Sequence, residues 1–234
     1  GLSDAFEPNK DSWHSEYTEL KSLLTEEEYA AARSSTLTAF YTPPEVIDAM
    51  YTALRKMGVG AGTILEPSMG VGAFFGQSHS YLYEPTTRLF GVELDSLTGR
   101  IARQLYQKAN IQITGFEKAD LPDSFFDVVI GNVPFGDYSV VDPQYNRLHF
   151  KIHDYFFAKS IDKLRTGGII AFITTSGTLD KKSEEVRRYI NARCDFIGAV
   201  RLPDSTFKSA GTKAMADIIF LQKRDRILEQ DASW

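Results

Sequence analysis

The sequence predicts an α/β fold: a mostly parallel sheet of seven strands, helices on both faces, and an antiparallel hairpin at one edge. Three observations carry this. From residue 37 onward, short apolar runs alternate with helical patterns. The run Val128-Val129-Ile130 is continuously apolar, as suits a strand covered on both faces. The last connection, 203–215, reads as a loop and not a crossover helix, so the strands flanking it are free to run antiparallel.

The elements follow in order. Residues 1–36 form a helical preface. There Thr25-Glu26-Glu27-Glu28 has the pattern of a capping box opening a helix through Ala32, and Trp13, Tyr17, Leu20, Leu23 and Leu24 fall at helical spacing. This preface is expected to pack on the main domain, which spans 37–224 and is followed by a tail, 225–234. Pro43-Pro44 starts a helix carrying Val46, Ile47, Met50, Tyr51 and Leu54, proline being tolerated in a first turn. Strands are predicted at 63–65, 88–93, 111–114, 126–131, 169–174, 196–202 and 216–222. Helices are predicted at 96–108, 151–165 and 181–193, with Gly167-Gly168 as a stop after the second of these.

The chain has 234 residues, 43% of them hydrophobic, enough for one sizeable core. No apolar run has the length of a bilayer-spanning helix, and the polar start 1–11 does not read as a secretory signal. A single cysteine, Cys194, excludes an internal disulfide framework, suits a reducing, cytoplasmic setting, and is expected to be a buried structural thiol. One cysteine and four histidines make no zinc-ligand spacing; His149 and His153 lack a third ligand, so no metal is expected. The net charge of −5 argues against strong autonomous binding to duplex DNA. The basic run Lys181-Lys182, Arg187-Arg188 and Arg193 is expected to be a solvated helix face, diluted by Glu184-Glu185.

Three motifs carry chemistry. The first, Leu65-Glu66-Pro67-Ser68-Met69-Gly70-Val71-Gly72-Ala73-Phe74, lies at a strand end, where open α/β sheets bind ligands. Its glycines allow a sharp turn and close backbone approach. The spacing departs from GxGxxG, which disfavours a nicotinamide-dependent oxidoreductase. The second is Phe90-Gly91-Val92-Glu93-Leu94-Asp95. A carboxylate at Glu93 can accept both hydroxyls of a ribose, while Asp95 suits the cap of the next helix. The third is Asn132-Val133-Pro134-Phe135. The Asn132 side-chain carbonyl and the Val133 backbone carbonyl can accept the two hydrogens of an amine, and Phe135 offers a ring for stacking.

Together these motifs resemble the class I S-adenosylmethionine (SAM) dependent methyltransferases. Within that class they are most similar to the N6-adenine DNA methyltransferases of restriction-modification systems, whose signature at the third site is Asn/Asp-Pro-Pro-Tyr/Phe/Trp. Here Val133 replaces the first proline and keeps the carbonyl. The finer resemblance is to the methylase module of large phage and mobile-element helicase-methylase proteins. The resemblance spans 37–224 and implies a Rossmann-like fold, SAM as cofactor, no metal, and the N6 amine of adenine in DNA as target. It assigns the cofactor to Tyr41, Thr42, Glu66, Pro67, Ser68, Gly70, Gly72, Phe74, Glu93, Leu94, Phe116 and Glu117. The segment 39–45 would close over the methionine end; Phe116 and Glu117 would meet the adenine ring, with Asp120 competing for the latter role. Catalysis falls to Asn132, Val133, Pro134 and Phe135, and the flipped base to Phe135 and Phe207. Nothing after Arg224 is long enough for the family's target-recognition domain, so the chain is expected to be a fragment or to rely on another region or subunit for recognition. The alternatives are methylation of a glutamine amide or an RNA base, and a non-catalytic SAM-binding scaffold.

Overall fold

The computed structural model describes residues 3–38, 42–60, 62–81, 86–207, 215–228 and 234. The helices α1 (His14–Leu23) and α2 (Glu26–Thr38) come first, then α3 (Pro44–Lys56), β1 (Thr63–Glu66) and α4 (Ala73–Tyr81). β2 (Arg88–Glu93), α5 (Ser96–Leu105), β3 (Asn110–Ile113) and β4 (Phe126–Asn132) follow. α6 (Ile152–Lys163), β5 (Leu164–Thr175), α7 (Gly177–Asp180), α8 (Glu185–Asn191), β6 (Cys194–Arg201) and β7 (Ala216–Lys223) complete the chain order.

The seven strands form one sheet in the order β3-β2-β1-β4-β5-β7-β6. Strands β1 to β5 pair in parallel, and β7 runs antiparallel between β5 and β6, so the expected edge hairpin is present. Successive side chains of a strand point to opposite faces. Val128, Ile130, Ile169, Ala171 and Ile173 therefore meet α3 through Ile47, Met50, Tyr51 and Leu54 on one side. Val129, Ile170 and Phe172 meet Phe156, Phe157 and Ile161 of α6 on the other. The strand order reverses at β1–β4, which opens a crevice at the carboxyl ends of those two strands.

Several boundaries differ from expectation. β5 begins at Leu164 and runs through Gly167-Gly168, because Leu164 still pairs with Phe126 across a register shift and Gly167, at φ +77°, keeps the strand going. The helix expected over 181–193 is the shorter α8, and α5 stops at Leu105. The basic segment is not simply a solvated face. Arg187 is buried and donates to the carbonyls of Leu179 and Lys181, and Lys181 donates to buried Asp154 at 2.5 Å. The N-terminal capping box forms as read: the Thr25 amide donates to Glu28 at 3.0 Å and the Glu28 amide to Thr25 Oγ1 at 3.2 Å. These helices gather their own small cluster around Phe6 and Tyr29, and an exposed Arg100–Glu28 ion pair joins α2 to α5. Among the described residues, no helix is long and apolar enough to cross a membrane.

Candidate active site

The turn after β1 is shaped by backbone hydrogen bonds and by missing side chains. The Met69 amide donates to Val92 O at 3.0 Å, which lashes the turn to the end of β2, and the Gly72 amide donates to Met69 O at 2.8 Å. Gly70 (φ +55°) and Gly72 (φ +85°) hold left-handed conformations that disfavour other residues. A Cβ on Gly72 would stand 2.5 Å from the Tyr106 ring, whereas one on Gly70 would meet nothing within 4 Å. The backbone at Gly70 is thus open to a ligand. The Met69 side chain folds onto Gly91, with its sulfur 2.2 Å from where a Cβ there would stand, so Gly91 serves this turn from the neighbouring strand.

Two carboxylates converge on the turn. Glu66, at the end of β1, is 2% exposed, and its Oε2 is buried with no hydrogen-bond partner among the described residues. Burial, and then the nearby Glu93, hold its carboxyl well above the usual range. Glu93, at the end of β2, accepts from the Gly70 amide at 2.8 Å and the Asp95 amide at 2.8 Å. Burial raises its carboxyl too, against the lowering effect of those amides. Asp95 caps α5 by accepting from the Thr98 amide at 2.7 Å. Leu94, between the two acids, is largely exposed on the crevice rim.

Asn132 ends β4, the parallel neighbour of β1. Its backbone carbonyl accepts from Ser68 Oγ at 3.0 Å, which bonds the third motif directly to the first. Its Nδ2 donates to Thr42 Oγ1 at 3.3 Å. Val133 sends its amide to Ile173 O at 3.1 Å and buries its side chain in the core, which supplies the fixing that a second proline would give. Pro134 is half-buried beside it, and Phe135 is half-buried against the apolar clusters of both sheet faces. The structure therefore brings together Thr42, Glu66, Pro67, Ser68, Gly70, Gly72, Glu93 and the tetrapeptide 132–135.

It does not bring every expected residue there. Phe74 is 2% exposed in the cluster beneath α3, because the start of α4 turns its ring toward Tyr51, whose hydroxyl also donates to Phe74 O. Phe116 is 3% exposed, and its ring packs on Phe156 at a centroid distance of 5.0 Å, drawn in by the aromatic face of α6. Phe207 is likewise spent on the core beside Leu202 and Ile218. Glu117 is half-buried, with its carboxylate folded back over Gly115 and its backbone carbonyl accepting from Lys159 at 3.1 Å. Asp120 is exposed and clamped through its backbone by Gln112. Tyr41 lies outside the described residues. Cys194 is buried, and burial pushes its thiol up to about 12, as befits an inert structural group. Among the described residues, no cluster of His, Cys, Asp and Glu could hold a metal ion.

A buried network that the sequence did not suggest anchors the long loop after Phe135. Asp142 accepts from Lys159 Nζ at 3.0 Å, Tyr155 at 2.8 Å and the Gln144 amide at 3.1 Å. Acid and base lie seventeen positions apart, a spacing that no local periodicity links.

Residues 23–233 match the family model described as N-6 DNA Methylase. The chain belongs to the N-6 DNA methylase family. Its sequence is 29% identical over 190 residues to the "Defense against restriction protein B" of Escherichia phage P1, covering 79% of this chain and 8% of that protein. The chain thus spans less than a tenth of that relative's length. Among solved structures, this family member resembles the type I restriction-modification methyltransferase subunit from Streptococcus thermophilus, with a TM-score of 0.66 at 20% identity over 91% of this chain and 53% of that one. It also resembles the M protein of the type I restriction enzyme EcoKI, with a TM-score of 0.62 at 19% identity over 99% and 55%. At such identities the likeness concerns the fold, a class I methyltransferase architecture.

Proposed function

We propose that this chain transfers a methyl group from SAM to the exocyclic N6 amine of an adenine in DNA. The observation that carries the reading is the Ser68–Asn132 hydrogen bond, since it holds the amine-gripping tetrapeptide against the cofactor turn of a family defined by N6 methylation of DNA.

The crevice suits the cofactor on its own chemistry. Burial raises both carboxyls, Glu93 raises buried Glu66 further, and a cation beside them relieves both burial and repulsion. The SAM sulfonium and α-ammonium are such cations. Glu93 would accept the ribose hydroxyls with the lone pairs its amide donors leave; Gly70 and Gly72 would let the ligand lie against the backbone, with Pro67 and Ser68 walling the turn. Leu94 would cover the adenine from the rim, and Thr42 would stand where the methionine end approaches Asn132. When bound, SAM supplies an already activated methyl group on a sulfonium.

The protein's own task is positioning and electrostatics. Asn132 Oδ1 and the Val133 carbonyl accept the two hydrogens of the amine. That favours a pyramidal nitrogen, whose lone pair is otherwise delocalised into the ring, and the preference grows as positive charge develops on the nitrogen. The N–C bond forms as the S–CH3 bond would break to leave a neutral thioether, the methylated amine releases a proton to solvent, and no covalent link to the protein is needed. Phe135 stacks on the extruded base, worth about 1–3 kcal/mol by the measure of base–aromatic contacts. With a net charge of −5, the grip on the duplex belongs to a further recognition region or subunit. The lone buried thiol accords with a cytoplasmic setting.

The test is incubation of the chain, together with the recognition region or subunit that grips the duplex, with methyl-labelled SAM and unmethylated DNA, followed by nucleoside mass spectrometry. N6-methyladenine above the no-enzyme background is expected. SAM binding without any methyladenine, or label transferred only to RNA or protein, overturns the proposed substrate.

A further inference from the structure

Tyr138 and Val141 stand out on the loop that follows the tetrapeptide. Both are exposed, at 55% and 79%, while Val140 between them packs inward on the core. The Tyr138 ring lies over Gly136, the residue next to Phe135, with its Cε1 2.3 Å from where a Cβ on that glycine would stand. The Tyr138 side chain therefore stands beside the ring assigned to the extruded base, and Val141 projects from the same loop three residues on.

The loop that displays them is held at several points. Asp137 pairs with Lys151 at 2.7 Å, and the Ile152 amide donates to Tyr138 O at 2.8 Å. One residue past Val141, Asp142 enters the buried network with Lys159 and Tyr155, and its amide donates to Asn146 Oδ1 at 2.9 Å. Both carboxylates of the segment 133–151 are thus balanced by lysines, and its remaining charge is Arg147 with His149 beside it. In a chain of net charge −5, this surface carries no uncompensated acid to repel phosphates.

Resting on the DNA reading above, we propose that Tyr138 and Val141 form a wedge that enters the duplex and occupies the space the target adenine vacates. Extruding a base breaks its pairing and stacking and leaves a gap in the stack. Apolar side chains inserted at base steps are an established means of holding distorted DNA. A tyrosine adds a stacking face, and the anchored stem lets the side chains push without the loop yielding.

With that recognition region or subunit present, the test compares native and heat-denatured forms of one unmethylated DNA, using tritiated SAM with the unchanged chain and with the Tyr138→Ser/Val141→Ser double variant. Single strands present no gap to fill. The variant should therefore lose about tenfold or more of its rate on native DNA, the scale of one lost stacking contact, and keep its rate on denatured DNA within about twofold. Equal rates for both proteins on native DNA overturn the wedge, as does an equal loss on both forms of DNA. Failure of the unchanged chain to methylate either form strikes the DNA reading itself, and the wedge with it.

Discussion

The turn after β1 and the loop after β4 leave neighbouring strands yet are built on opposite plans. The first, 67–72, is short and shaped by what it lacks: glycines at φ +55° and +85°, with the Met69 and Gly70 amides donating to Val92 O and the Glu93 carboxylate of β2. The second, 133–151, is long and shaped by side chains, with a buried lysine–aspartate pair and two tyrosine hydroxyls beneath it. The difference matches what each is proposed to hold. A small cofactor needs close, fixed backbone. A base within a polymer needs side chains carried outward, and these need an anchor.

The comparison can be broken first at the anchor. Lys159→Met leaves Asp142 buried without its cation and is expected to cost about 3–5 kcal/mol in unfolding free energy, read by chemical denaturation. Burial alone would raise the Asp142 carboxyl; Lys159, Tyr155 and the Gln144 amide outweigh it and hold the carboxyl below its usual value. With its folded pKa lowered, Asp142 stabilises the fold above its unfolded pKa, and that share fades as pH falls through the folded value. The lysine variant should flatten this acid limb. A change under about 1 kcal/mol would show that the loop does not depend on the pair.

Asn132→Ala comes next. Losing one transition-state acceptor should lower turnover by about a hundredfold or more, near 3 kcal/mol, by analogy with removal of one oxyanion-hole donor. SAM affinity, followed by calorimetry, should stay close to that of the unchanged chain, because the Ser68 bond uses the backbone carbonyl of Asn132 and survives the substitution. Abolished SAM binding would move Asn132 from the chemistry to the cofactor site. Third, Gly72→Ala places a Cβ against Tyr106 in a left-handed conformation, and about 1–3 kcal/mol of strain should appear as weakened SAM binding. Pairing it with Tyr106→Ala sharpens the point, since removing the ring relieves the clash but not the φ penalty.

These two plans also explain what could be read in the sequence. Strand runs such as Val128-Val129-Ile130 and the Thr25–Glu28 capping box act over a few residues, and both formed as expected. That the glycine turn, Glu93 and Asn132 would meet was legible because each ends a strand, and strand ends converge in an open sheet. The aromatic rings were not. Phe74, Phe116 and Phe207 sit at positions where a ring can turn to crevice or core, and the partner that decides, such as Phe156 for Phe116, comes from a distant helix. Arg187 was missed for the same reason: its acceptors, the carbonyls of Leu179 and Lys181, lie at the end of α7, which only the fold of the intervening segment brings to α8.

The smallest effect tests the electrostatics of the first turn alone. The groups facing Glu66 are Glu93, Tyr51 and Tyr106, none of them cationic. Its raised pKa means that the folded chain retains a proton there over a range in which an ordinary carboxyl would be ionised. A cationic cofactor favours the ionised form, so binding should release up to one proton, and affinity should rise with pH by at most about tenfold per unit until Glu66 is ionised before binding. Below the ordinary carboxylate pKa the dependence should level off. Calorimetry in two buffers of different ionisation enthalpy reads the proton directly. Glu66→Gln should abolish the release and flatten the profile, while Asn132→Ala leaves both intact. Proton uptake in place of release would mean that the crevice binds its ligand through a neutral or anionic group, against the reading of two carboxyls awaiting a cation.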